Sequence, residues 1–292
     1  MNQGVGVLAG LLSSAFGGMA AGTTRFIIGH SDPITIGAFR FGIGFLILLP
    51  LAFLLRQPWP RGRDWLGVTG LGLLFFGIFP IIFNAAFIYT TAARGALALS
   101  MLPLLTMAVG ALLGIQRLGI RKTIGVLIAT DGVALALAAG LSTAPEGAWR
   151  GDLLMVTAAF CMALYNVWSR PFIARSAPLS FAAASMGIGS SCLALLAWLK
   201  GGFAAVESFG TAQWMAVAYL GLFGGALAFF LWVFALQYAS PTRVASTITI
   251  NPIAASLVAA ALMGEEIRLN LLVGVAAVLA GIWVAASEPA KT

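Results

Sequence analysis

Residues 238–252 read YASPTRVASTITINP, and residues 89–103, 149 positions earlier, read YTTAARGALALSMLP. In that register Tyr89 meets Tyr238, Arg94 meets Arg243 and Pro103 meets Pro252. The same shift of 149 pairs Trp65 with Trp214, Gly72 with Gly221, Gly125 with Gly274 and Gly132 with Gly281. Earlier in each half a shift of 145 pairs Arg25 with Arg170, Ser31 with Ser176, Pro33 with Pro178, Gly42 with Gly187 and Gly44 with Gly189. Apolar residues coincide easily by chance, but Trp, Tyr, Arg and Pro do not do so in one register. The chain is an internal duplication, and the number of helices in each copy decides the fold.

The medium in which those helices sit follows from composition. Of 292 residues 61% are hydrophobic and only 9% charged, with a mean hydropathy of +1.01. A water-facing domain needs about a quarter of its residues charged. Apolar runs of the roughly 20 residues that cross hydrocarbon as a helix recur throughout. Backbone groups in lipid must pair within their own segment, so the runs are read as helices. Divided at Pro, Gly and charge clusters, they give ten spans: 4–29, 33–55, 65–90, 93–114, 119–140, 152–174, 178–199, 211–237, 241–263 and 268–287. The first follows MNQ without a basic leader or a small-residue cleavage site and is read as a retained span.

Each copy thus holds five spans, residues 1–143 and 144–292. Two copies of an odd unit in series enter the membrane with opposite orientation. The expected fold is an all-α membrane protein of ten transmembrane helices in two inverted repeats. Secondary transporters are built this way, with the substrate at the midplane between the halves. Lys and Arg set the orientation. With the N-terminus inside, ten fall on inner loops and tail, five on outer loops, and Arg40 lies within a span. Both termini are therefore expected in the cytoplasm. The net charge of +7 is spread through these short loops as an orientation signal, so nucleic acid is not an expected partner.

The run FALQYASPTRVASTITINPIAASLVAAALMGEEIRLNLLVGVAAVLAGIWV at 234–284 resembles the repeat of the drug/metabolite transporter superfamily, EamA type. The likeness lies in an aromatic span ending in AL-x-Y-x-SP, a helix with a central Pro, the Gly264-Glu265 turn and a glycine-studded last span. The first copy is similar from Pro33 and Arg40 through Pro103 to Gly132, with Gln116 in place of the acidic residue at the turn. Within that superfamily the chain is similar to the YddG-like exporters of aromatic amino acids. The resemblance implies a central cavity lined by spans 1, 3, 4, 6, 8 and 9, with spans 5 and 10 behind.

Several residues are candidates for that cavity. On span 9, Thr247 and Asn251 share a helical stripe with Arg243, and Pro252 frees a carbonyl near the midplane. The competing reading is that such groups bind their own helix or a neighbouring one. In the first copy only Ser100 keeps a hydroxyl, opposite Thr249. On span 6, Tyr165, Asn166 and Trp168 place a phenol and an amide at membrane depth, Trp168 serving equally as an interfacial anchor. Spans 3 and 8 supply Phe79, Phe83, Asn84 and Trp232, with Phe83 and Trp232 in register. Ser13, Gly17 and Ala20 form a small-residue stripe better suited to helix contact. Arg94 and Arg243, with Tyr89 and Tyr238, occupy symmetric positions suited to gates at opposite ends. Arg40 and Asp131 are the charges deepest in the spans and are read as structural.

Spans 1, 3, 4, 6, 8 and 9 are read as lacking Asp and Glu, which suits neutral or zwitterionic cargo better than cations. No cofactor, metal or catalytic residue is expected, because no HExxH, paired aspartate or CxxC pattern occurs. The expected function is export of aromatic or neutral amino acids, or similar small metabolites, by alternating access in a bacterial plasma (inner) membrane. The alternative is multidrug efflux of small aromatic or amphipathic compounds. The partners are a small-molecule substrate and the lipid bilayer. Nothing in the sequence sets the oligomeric state, and a monomer suffices.

Overall fold

The computed structural model describes residues 3–115, 120–139 and 144–266, with isolated positions beyond. The expected tenth span, 268–287, lies largely outside the described residues, as does Gln116. Within them the chain is helical and without strands. The helices are α1 (Gln3–Ile27), α2 (Pro33–Leu54), α3 (Asp64–Tyr89), α4 (Ala92–Leu112), α5 (Ile120–Ala139), α6 (Ala148–Arg175), α7 (Pro178–Leu199), α8 (Thr211–Tyr238) and α9 (Pro241–Met263). α1 to α4 and α6 to α9 are each long and apolar enough to cross a membrane. Their outward surface carries Leu46, Leu54, Leu66, Leu112, Leu153, Leu195 and Trp198, all exposed. Such a surface suits lipid and not water.

The duplication is visible in the backbone irregularities. In α3 residues 73–78, and in α8 residues 222–227, adopt π-helical bonding. The two insertions are related by the 149-residue shift. Phe79 N–H reaches Leu74 O and Ala228 N–H reaches Phe223 O, each five residues back. In α4 the helix breaks around Ser100 and Met101, before Pro103. In α9 a 3₁₀ turn, Thr247–Ile250, precedes Pro252. Proline lacks the N–H that would continue the ladder, so the preceding turn tightens in both copies. Pro33 and Pro178 both open 22-residue helices from the first turn, where the missing N–H costs nothing.

The halves interlock. α1 packs on α8 and α9 of the other half, while α6 packs on α3 and α4 of the first; α2 lies along α7. Glycine permits the closest crossings. A Cβ on Gly189 would stand 2.5 Å from the Phe76 backbone and 2.6 Å from Gly72 O; one on Gly221 would stand 2.5 Å from Ile43. These crossings of α3 on α7 and of α8 on α2 are repeat-related. Each needs a residue without a side chain, because the facing surface, backbone at Gly189 and the Ile43 side chain at Gly221, leaves no room for a Cβ.

Replacing Gly189 with Leu is expected to destabilise the protein by about 1–3 kcal/mol or more, because backbone atoms there cannot yield. Gly70→Ala meets open space and should be neutral to slightly stabilising. Thermal unfolding in detergent checks both; equal melting temperatures for the two variants would contradict the packing described.

Candidate functional site

Near mid-length of the helices, between the halves, lies a cavity of about 40 Å³. Its lining comes from Ser13, Ser14 and Gly17 on α1, Phe79 and Phe83 on α3, and Ala228, Phe229 and Trp232 on α8. Ile248 and Asn251 on α9, Leu99 on α4, Met162 on α6 and Arg40 on α2 complete it. Among the described lining residues there is no Asp or Glu. One water needs about 10–15 Å³ of such space, so the cavity holds a few waters. Small-molecule sites run to roughly 300–1,000 Å³, so a metabolite enters only when the helices part.

Its polar groups are held in specific ways. Ser13 Oγ donates to Ala228 O at 2.6 Å. Trp232 Nε1 donates to Asn166 Oδ1 at 2.8 Å, fixing the indole edge-on to α6. Asn251 is 3% exposed, and its Oδ1 has no hydrogen-bond partner among the described residues. It faces Gly17, where a Cβ would approach to 3.6 Å. A buried amide oxygen without a donor is costly, and such exceptions point to an absent partner.

Arg40 is the most consequential lining residue. It is 3% exposed, and its Nε and Nη2 both donate to Gly224 O, at 3.1 and 2.9 Å. The carbonyl is available because Ala228 N–H, its usual helical donor, bonds Phe223 O and Gly225 O instead. The guanidinium carbon lies 5.2, 5.7 and 5.5 Å from the rings of Phe41, Phe83 and Phe229. Gly224 lets α8 approach α1 closely, since a Cβ there would stand 2.8 Å from Ala20 Cβ and 3.6 Å from Arg40 Nε. Among the described residues no carboxylate lies within ion-pair distance of Arg40. Moving such an ion out of water costs several kcal/mol after relaxation. Ring faces return about 0.5–2 kcal/mol each. The cation is therefore solvated by dipoles and quadrupoles without a counter-charge.

The two ends of the bundle are closed differently. At one end Arg94 Nη2 meets Asp152 at 2.5 Å and Nη1 donates to Leu137 O at 2.9 Å. Arg25 meets Glu265 at 3.3 Å and donates to Phe87 O at 2.8 Å, while Ala92 N–H donates to Glu265 Oε2 at 3.3 Å. At the other end Arg170 Nε donates to Leu236 O at 3.3 Å, repeating the Arg25 to Phe87 bond in the second copy. There, however, Arg243 meets only the neutral amide of Gln3 among the described residues. The Arg175–Asp64 pair at 2.7 Å is exposed on the Arg175 side.

The structure brings Asn251, Phe79, Phe83 and Trp232 to the cavity and Asn166 one bond behind it. Other expected residues lie elsewhere. Thr247 donates to Val244 O at 2.7 Å and meets Ser14 Oγ at 2.9 Å, joining α9 to α1. Tyr165 is fully buried, with its ring stacked on Phe75 at 4.2 Å. Trp168 is 43% exposed on the outer face. Asn84 donates to Pro33 O at 2.8 Å, and Ser100 to Ala96 O at 3.1 Å, so both serve helix structure. Of the expected gate residues, Arg94 is buried and paired, Arg243 is exposed, and Tyr89 and Tyr238 are half-buried. Arg40 and Asp131 do not pair: Asp131 is exposed on α5, and Arg40 faces the cavity. Carboxylates do occur on α3 and α6, as Asp64 and Asp152, but at helix ends away from the cavity. Ser13, Ser14, Gly17, Met162 and Phe229 were not expected there; the small stripe on α1 carried a signal that was read as helix contact.

With this geometry in place, comparison with known proteins is informative. The model of the EamA-like transporter family matches the chain twice, over residues 4–138 and 149–287. The chain belongs to the EamA-like transporter family. It is thus a multi-pass integral membrane protein of a transporter family, set in a lipid bilayer and handling a small molecule. It is 24% identical over 280 residues to the uncharacterized transporter YyaM of Bacillus subtilis (strain 168), covering 93% of this chain and 90% of that one. A probable amino-acid metabolite efflux pump of Salmonella typhimurium is 26% identical, with 87% and 86% covered. A probable terminal-alkyne amino-acid exporter of Streptantibioticus cattleyicolor is 26% identical, with 76% and 73% covered. One crystal structure superposes with a TM-score of 0.70 over 98% of this chain and 97% of the other, at 22% identity. That likeness concerns the fold alone.

The unequal ends predict unequal losses. Asp152→Asn leaves Arg94 buried without its counter-charge and should lower stability by about 1–3 kcal/mol. Arg243→Ala should leave the melting temperature unchanged. Matching effects of the two substitutions on thermal unfolding would contradict the assignment of the tighter closure to the Arg94 end.

Proposed function

We propose that the protein exports amino acids, neutral or aromatic, or similar small zwitterionic metabolites from a bacterial cytoplasm across the inner membrane. The observation that carries this reading is the cavity between the two halves, walled by Phe79, Phe83, Phe229 and Trp232 and holding Arg40 and Asn251. Aromatic faces suit an apolar side chain, while the polar groups suit the charged or hydrogen-bonding end of a metabolite. The names of the Salmonella and Streptantibioticus relatives agree with amino-acid cargo.

Alternating access supplies the mechanism. The two five-helix halves, residues 1–143 and 144–292, lie with opposite orientation, and both termini are cytoplasmic. Rocking of one half on the other opens the cavity first to one side and then to the other. The Arg94 end faces outward; there the pairs to Asp152 and Glu265 hold α1, α4, α6 and α9 together. The Arg243 end faces the cytoplasm and has weaker ties. Arg94 and Arg243, flanked by Tyr89 and Tyr238, thus mark the two gates. Multidrug efflux fits less well, because cationic compounds would meet Arg40 and no carboxylate.

Proteoliposomes loaded with radiolabelled amino acids should show saturable, competable flux for at least one neutral or aromatic member of the panel. Asn251→Ala should reduce that flux severalfold, while Trp168→Ala should leave it near the parental rate. Absence of saturable flux across a broad panel of amino acids sinks the reading.

A further inference from the structure

We propose that Arg40 is the anchor for a carboxylate on the substrate, so that the cavity selects carboxylic acids and zwitterions over amines and amides. This rests on the transport reading above and adds the chemical group being recognised. Arg40 uses Nε and Nη2 on one carbonyl, Gly224 O. No hydrogen bond to Nη1 occurs among the described residues, although the side chain lines the cavity. A guanidinium presents donors in a fork that matches the two oxygens of a carboxylate. In a low-dielectric site without any carboxylate of its own, an incoming anion supplies the missing counter-charge.

Two further observations support a ligand role. Asn251 Oδ1, on the same lining, is buried and lacks a donor among the described residues. It is an acceptor suited to an ammonium or hydroxyl on the other end of the ligand. The second observation is what the repeat leaves out. The position equivalent to Arg40 in the second copy is Ser185, whose hydroxyl donates to Phe181 O, 2.7 Å away in its own helix. The position equivalent to Gly224 is Phe75, whose ring stacks on Tyr165 at 4.2 Å. The related crossing of α3 on α7 is thus made with a small hydroxyl and a phenyl ring. Packing alone therefore does not require a buried cation, and of these two related crossings the arginine occurs at the one that lines the cavity.

The test uses purified wild-type protein in nanodiscs and four ligands sharing one side chain: L-phenylalanine, 3-phenylpropanoate, L-phenylalaninamide and phenethylamine. Binding is read from tryptophan fluorescence, since Trp232 lines the cavity, and confirmed by equilibrium dialysis. The two carboxylates should bind at least about tenfold more tightly than the amide and the amine. Loss of the ammonium should matter less than loss of the carboxylate. Arg40→Gln should erase the preference, and Arg40→Lys should keep part of it, as a point charge without the fork. The wild-type series stands even if Arg40→Gln fails to fold. Equal binding of amide and acid to the wild type, or an acid preference intact in folded Arg40→Gln, overturns the proposal. So does failure of all four to bind. Arg40-dependent binding of 3-phenylpropanoate without amino-acid flux would uphold this inference and defeat amino-acid export. Saturable amino-acid flux that the amide inhibits as well as the acid would do the reverse.

Discussion

The pair of hydrogen bonds from Arg40 to Gly224 O joins features that otherwise look unrelated. The bonds need a carbonyl released from its helix, which the π-helical register of 222–227 supplies. They need α2 and α8 in backbone contact, which Gly225 permits; a Cβ there would lie 2.4 Å from Arg40 O. They also need walls that tolerate a cation without a carboxylate, and the rings of Phe41, Phe83 and Phe229 meet that need. Remove any one of these and the guanidinium is left buried in a place it cannot occupy.

The duplication supplies the frame for this arrangement, and departures from it supply the chemistry. Paired π insertions and paired proline breaks give each half the same bends, so the halves interlock through α1 and α6. Where related positions differ, one of the two lines the cavity and the other is packed. Arg40 and Gly224 correspond to Ser185 and Phe75, and Asn251 corresponds to Leu102. The ends differ likewise: among the described residues two carboxylates close the Arg94 end, while Arg243 has only Gln3. Identical halves would give two equivalent conformations; the substitutions bias them and make the site one-sided.

Much of this was legible in the sequence, and the limits have physical causes. The helices were readable because lipid demands long apolar runs, and the repeat because Trp, Tyr, Arg and Pro stayed in register. The π insertions left no trace, since a one-residue slip of backbone bonding requires no particular side chain. Thr247 and Asn251 share a stripe, yet the 3₁₀ turn at 247–250 alters the helical phase between them, and Ser14 takes the threonine hydroxyl. Trp168 reads in sequence as cavity lining or as an interfacial anchor, and it turns to the outer surface. Arg40 was visible as a deep charge. Its place in the cavity was not, because α2 is not a principal wall; only its long side chain reaches in. Asp131, the other deep charge, is exposed on α5 and does not face Arg40.

The most direct measurement is an experimental structure of the reconstituted protein with a transported substrate bound. The account predicts ligand density between the halves, with a carboxylate within hydrogen-bond distance of the Arg40 guanidinium and the remainder against Phe83, Trp232 and Asn251. It also predicts a cavity several times larger than the present 40 Å³. Substrate bound away from Arg40, or Arg40 still bonded only to Gly224 O with the ligand in place, would contradict it.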